Sequence, residues 1–324
     1  MEIKLNNLEK AQQLLKSTES DESYESTMSD IGLEDHVLNA IKSNLCYTIR
    51  VKYEFGEVVV ISTLPSNVKV VRFSNYTADD YGDFCKKVLS IDMEERENCS
   101  RSLVIEGIKT RVYAIMKPYS ENPLVTISTT KIPPSHLDKV TISDDAFSKI
   151  MHSNFIIVGP SGSGKTYLMN YLLNKFIGKK EQICIIEEFM ELIPPNELCT
   201  CLTCPPPKSN EKSKLRFITE QSNLMRLDAI YLGEIKGAEA WPFLINLASG
   251  TRGACTMHGD TAPDALSRLR ALCQLETENA EAINNFIAKN IHHVIVMGDK
   301  RIDAIFKLTG THNKGIFAME EVNS

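Results

Sequence analysis

The chain has 324 residues, 43% of them hydrophobic, and a formal net charge of −6. That length admits about two domains, and the acidic balance weighs against a protein that grips nucleic acid through a basic face, so any phosphate binding is expected to be local. No run approaches the roughly 18 apolar residues of a membrane span, MEIKLNNLEK has no apolar core for a secretory signal, and nine cysteines in a chain this long read as reduced thiols rather than a disulfide framework.

Residues 4–16 can form a short amphipathic helix, with Leu5, Leu8, Leu14 and Leu15 partly aligned. Ser17–Asp30 is rich in serine and acids, with too little apolar surface to offset ordering entropy, and reads as part of a flexible segment over 1–30. From about Asp35 the pattern turns globular. Tyr47–Tyr53 and Val58–Thr63 are β-branched runs flanking a turn at Phe55-Gly56. Ala78–Leu89 predicts a helix with Tyr81, Phe84, Cys85 and Val88 on one face. Leu103–Ile105, Thr110–Met116 and Leu124–Thr129 predict further strands, giving a mixed α/β domain over 31–131. Pro133-Pro134 marks a linker over 132–146, and Asp144 or Asp145 can cap a helix running to His152.

From 147 to 324 short apolar strands alternate with helices. Candidate strands are Phe155–Val158, Ile183–Ile186, Ala229–Leu232, Ala254–Met257, His293–Met297 and Ile302–Leu308. That alternation predicts an α/β domain with a mainly parallel sheet and helices on both faces.

Gly159-Pro160-Ser161-Gly162-Ser163-Gly164-Lys165-Thr166 matches G-x-x-x-x-G-K-[ST], between the strand Phe155–Val158 and a predicted helix over Thr166–Lys175. Glycines let the loop curl with its N–H groups aimed at phosphate oxygens, and the helix N-terminus adds partial positive charge. Lys165 would neutralise the β- and γ-phosphates of ATP, and the Thr166 hydroxyl would ligate Mg²⁺. Hydrolysis also needs a carboxylate to orient water. Ile183–Glu187 and Ala229–Glu234 are apolar runs that end in acids or lead to one, so Glu187, Glu191 and Glu234 are candidate catalytic acids at the carboxyl ends of strands. A third such strand end carries His258. Each of these side chains alone is more often an ordinary solvated or structural residue.

Four motifs in this order resemble the secretion and traffic ATPases of type II and type IV secretion systems, type IV pili and Tad pili. They are GPSGSGKT; Ile186-Glu187-Glu188-Phe189-Met190-Glu191-Leu192, for an I-E-D-x-x-E-L box; Met225–Ala240, a Walker B in which Gly233 replaces the usual aspartate; and Gly253–Thr261 with Ala265–Leu269, a histidine box and its trailing helix. The resemblance is strong over Asn154–Leu308 and weaker before it, where Gly107–Lys117 is similar to the segment around a nucleotide-facing arginine, here Arg111.

The resemblance implies a RecA-like P-loop domain after a smaller mixed α/β N-terminal domain, ATP between domains, and a homo-hexameric ring. It further implies a cytoplasmic motor, peripheral to the inner membrane, that works with inner-membrane components of a secretion, conjugation or pilus machine. It gives Glu234, Glu191 and His258 roles in hydrolysis, and Arg226, Arg252 and Arg268 roles in phosphate or subunit contacts. A nucleotide-binding scaffold subunit with little hydrolysis is the alternative, and a nucleic-acid motor is disfavoured by the charge balance.

The chain departs from the family pattern at several places. Glu188 stands for aspartate in the acidic box, and Lys236 for arginine in G-E-x-R-G, which removes a bidentate fork. L-R-M-R-P-D becomes Asn223–Asp228, without one arginine and the proline. Cys199, Cys201 and Cys204 lack the second pair of a four-cysteine zinc site and read as reduced loop thiols. The short chain and Cys204-Pro205-Pro206-Pro207 look more like the conjugation or Tad-pilus branch.

Overall fold

A computed structural model describes residues 24–28, 31–43, 48–64, 68–92, 99–117, 119–129, 144–204 and 214–322. The predicted helix over 4–16 and most of the predicted linker lie outside these residues. The chain divides into two compact units between Lys131 and Ile132.

The first unit is built on a sheet of strands β1 (Tyr24–Met28), β2 (Thr48–Glu54), β3 (Glu57–Thr63), β4 (Val68–Phe73), β5 (Cys99–Ile105), β6 (Ile108–Ile115) and β7 (Leu124–Thr129). Their order is β1-β4-β3-β2-β7-β6-β5. Every pairing is antiparallel except that of β1 with β4.

Helices α1 (Leu33–Lys42) and α2 (Ala78–Leu89) contribute Leu33, Val37, Ile41, Tyr81, Phe84, Cys85 and Leu89 to one core with Ile49, Val51, Val60 and Ile127 of the strands. The α2 start is fixed by a capping box. The Thr77 hydroxyl accepts from the Asp80 N–H, and the Asp80 carboxylate accepts from the Thr77 N–H at 2.8 Å. Strand β1 corrects the expectation of a flexible segment through residue 30. A parallel ladder with β4 supplies backbone hydrogen bonds that a reading of side-chain composition does not count.

The second unit holds β8 (Phe155–Val158), β9 (Ile183–Glu187), β10 (Thr200–Thr203), β11 (Ala229–Leu232), β12 (Arg252–Met257), β13 (His293–Gly298), β14 (Arg301–Asn313) and β15 (Ile316–Glu321). The order is β10-β9-β11-β12-β8-β13-β14-β15. From β10 to β13 all pairings are parallel, and the β13-β14-β15 edge is antiparallel. The strands β8, β9 and β11 are buried along their whole length, as a parallel sheet covered on both faces requires.

Alternate residues feed two separate cores. Ile156, Val158, Ile186, Ile230 and Leu232 pack with helices α6 (Ala240–Ala248), α7 (Ala262–Cys273) and α8 (Ala280–Asn290). Phe155, Ile157, Ile183, Ile185 and Tyr231 pack with α3 (Asp144–Met151) and α4 (Lys165–Phe176). A short helix, α5 (Lys214–Gln221), precedes a 3-10 turn over Ser222–Met225. Among the described residues no helix is long and apolar enough to cross a membrane.

Candidate nucleotide site

The sheet register brings four chain segments to one edge. Val158 stands opposite Met257, and Leu232 stands opposite both Ile186 and Cys255. The loop after β8, the acid-rich turn after β9, Glu234 after β11 and His258 after β12 therefore leave the sheet side by side at its carboxyl edge, where open parallel sheets bind ligands.

The loop 159–164 runs from β8 into α4, whose N-cap is Gly164 in the left-handed region at φ 95°. A non-glycine residue there would strain the turn that aims the first α4 amides into the loop. Lys165 is buried, and its Nζ donates to the carbonyls of Gly159 and Pro160, 2.8 Å each. Burial pulls the Lys165 ammonium below its usual range, and the Glu234 carboxylate opposes that shift. Ser163 is also buried, and its hydroxyl has no hydrogen-bond partner among the described residues.

The acids divide into two kinds. Glu187 is buried, and its Oε2 accepts from the N–H groups of Glu191 and Leu192 at 3.0 and 3.1 Å. It is turned into the loop, which differs from the outward arrangement expected of a catalytic acid. Gly233 is where a Walker B aspartate is usual. A Cβ on it would lie 2.8 Å from the Glu187 Cβ and 3.2 Å from its Oε2, so the Glu187 side chain fills that space from the neighbouring strand.

Glu191 faces the phosphate loop. Its Oε2 lies 3.5 Å from the Thr166 hydroxyl, which donates to it. Asn170 of α4 holds this turn by donating to the Glu191 carbonyl at 3.0 Å and accepting from the Ile193 N–H at 2.7 Å. Glu234 is about one-third exposed, and His258 Nε2 lies 3.0 Å from its Oε1. Thr256 donates to the Gly233 carbonyl at 2.6 Å, fixing β11 against β12 just before this pair.

Asn170, Thr256, Glu239 and Lys236 are working parts that no motif marks as such. Asn170 is a buried amide beside the apolar face of α4 formed by Leu168, Met169, Leu172 and Leu173. Glu239 is buried, and its Oε1 accepts from the N–H groups of Lys236 and Gly237, 2.7 Å each.

The arginines do not gather at this edge. Arg252 begins β12 at the opposite, amino edge and forms an ion pair with Glu181. This corrects the expectation that it could contact phosphate on its own chain. Arg226 stands exposed just before β11, at the same amino edge. Arg268 is exposed on α7. Arg111 belongs to the first unit, on β6 opposite Ser102 and Ser128. Cys199 and Cys201 place their sulfurs 3.9 Å apart, while Cys204 is buried.

The chain was compared with known families, proteins and structures. The model of the Type II/IV secretion system protein family matches residues 128–312. VirB11 of Agrobacterium fabrum (strain C58) is 32% identical over 131 residues, 39% of this chain and 37% of that protein. The chain thus matches under two fifths of that relative's length. The Legionella pneumophila ATPase DotB superposes with a TM-score of 0.60 at 15% identity, over 87% of this chain and 79% of DotB. The pilus retraction motor PilT with bound ADP gives 0.55 at 16% identity, over 82% and 78%. The two superpositions share the mixed α/β fold, and the family match covers the whole site edge from the phosphate loop to β13. The chain belongs to the Type II/IV secretion system protein family.

Proposed function

We propose that this chain is an ATP-hydrolysing motor of a secretion, conjugation or pilus apparatus, with residues 147–324 forming a RecA-like ATPase domain. The observation that carries the reading is the single edge shared by Lys165, the Thr166–Glu191 contact and the Glu234–His258 pair. The similarity to VirB11, to the ATPase DotB and to the pilus retraction motor PilT supports the same reading.

The residues present fit a nucleoside triphosphate with Mg²⁺. The loop amides, the buried Ser163 hydroxyl and the Lys165 ammonium supply donors for the β- and γ-phosphates. The Thr166 hydroxyl and the Glu191 carboxylate are hard oxygen ligands of the kind Mg²⁺ takes, directly or through water. When bound, Mg²⁺ neutralises charge on the β- and γ-oxygens. Glu234 orients the attacking water and accepts its proton. His258, 3.0 Å away, holds that carboxylate in place and is set to respond to the γ-phosphate. Glu187 holds the Glu191 turn in register with Thr166. Catalysis here is positioning and electrostatics, as phosphoryl transfer requires.

In this reading the protein works as a homo-hexamer on the cytoplasmic side of the inner membrane, against membrane components of the machine. Arg226 and Arg252, at the sheet edge away from the loop, then serve contacts between protomers.

Phosphate release from MgATP is the test. Wild type is expected to turn over, and Lys165→Ala to lose about 10²-fold or more in rate. Equal rates for the two proteins would remove the enzymatic reading.

A further inference from the structure

The turn carrying Glu187 and Glu191 and the turn carrying Glu234 are joined by one ion pair. Glu188, with 9% of its side chain exposed, meets the Lys236 ammonium through its Oε2. The main chain on both sides is already fixed. Gly233 N–H donates to the Ile186 carbonyl at 2.9 Å, and Glu239 grips the N–H groups of Lys236 and Gly237. With both backbones held, the two side chains together have a fixed gap to span. Most of the Glu188 side chain is covered, so its carboxylate has little water to fall back on.

Glu188 and Lys236 are also two of the positions at which the chain departs from the acidic-box and Walker B patterns. The departures are opposite in size. Glutamate is one methylene longer than aspartate, and lysine reaches less far than arginine. The span across the contact is therefore nearly kept, with the extra length moved from the cation to the acid.

We propose that Glu188 and Lys236 are a length-matched pair of positioning residues that braces the Glu191 turn against the Glu234 turn across that gap. The proposal rests on the hydrolytic reading above for its effect on rate. If the span is what matters, restoring either side chain alone should harm the site. Glu188→Asp leaves a gap, and Lys236→Arg crowds the contact. Making both changes together should restore the fit.

The experiment is a four-protein cycle: wild type, Glu188→Asp, Lys236→Arg and the double variant. It measures kcat and KM for MgATP and the melting temperature. Each single variant is expected to lose about tenfold in kcat, more than its KM changes. The double variant is expected to return to within about twofold of wild type. Losses that multiply in the double variant would overturn the proposal, and so would singles at the wild-type rate. Lys165→Ala serves as the background. Wild type no faster than that background would defeat the hydrolytic reading alone. The cycle would then be decided by melting temperature: restoration in the double variant supports the pair, and additive lowering overturns it.

Discussion

Two strand ends look alike in the sequence and meet opposite fates. Ile183–Glu187 and Ala229–Leu232 are both short apolar strands, the first ending in a glutamate and the second followed two residues later by one, at the carboxyl edge of one sheet. Glu187 is folded back, buried, and bonded to two backbone N–H groups. Glu234 stays open beside His258 and acts on the Lys165 ammonium across the loop. The difference is made by Gly233. Its missing side chain lets Glu187 occupy the space over β11, and the next acid, Glu234, is left open at the edge. The same residue type, one register position apart on neighbouring strand ends, is thus buried in one turn and open in the other.

Breaking each acid in turn sharpens that contrast. Glu234→Gln is expected to lose about 10²–10⁴-fold in ATP turnover, the usual contribution of a positioned general base, at an unchanged melting temperature. Glu187→Ala should act the other way round. It removes the carboxylate that accepts from the Leu192 N–H and shares the Glu191 N–H with the Phe189 carbonyl, at a cost of about 1–3 kcal/mol in unfolding free energy, measurable by urea denaturation. Its rate should fall too, because the Glu191 turn loosens. Gly233→Ala puts a methyl 2.8 Å from the Glu187 Cβ, and should destabilise by about 1–3 kcal/mol with a smaller rate loss than Glu234→Gln. Full stability and full rate in Gly233→Ala would end the claim that the glycine makes room for Glu187.

An effect on stability alone comes from the far edge of the sheet, where no chemistry is placed. His293 accompanies His292 and Lys307 there, and Ser153 Oγ lies 2.8 Å from its Nδ1. Burial first, then these two neighbours, lowers its pKa from the usual 6.5 to about 4. Below pH 6.5 the unfolded chain takes up this proton while the folded chain does not. Stability from this group is thus complete above that value and lost as pH falls toward 4. Denaturant midpoints of wild type and His293→Gln, compared between pH 7 and pH 4, should converge as the pH falls.

Much of this site was legible in the sequence. The helix Ala78–Leu89 and the strands Phe155–Val158, Ala229–Leu232 and Leu124–Thr129 appear with the expected boundaries, because their apolar periodicity is strong and their ends are marked. The phosphate loop was readable because its chemistry is local, written in eight consecutive residues. What escaped was set by pairing. Tyr24–Met28 is a strand only through the edge of β4, and the four-residue β10 only through the edge of β9. The burial of Glu187 depends on the absence of a side chain at residue 233, one strand away. The Glu188–Lys236 contact joins two residues 48 apart, each of which reads separately as a departure from a motif. Periodicity carries no register between distant strands, so such partners emerge only when the sheet is assembled.

The most direct measurement of the central claim is MgATP binding and turnover in Glu234→Gln beside wild type. The account predicts that this variant binds MgATP as tightly as wild type, keeps its fold and scarcely releases phosphate. Turnover at the wild-type rate would contradict it, because the open carboxylate beside His258 would then have no part in the reaction.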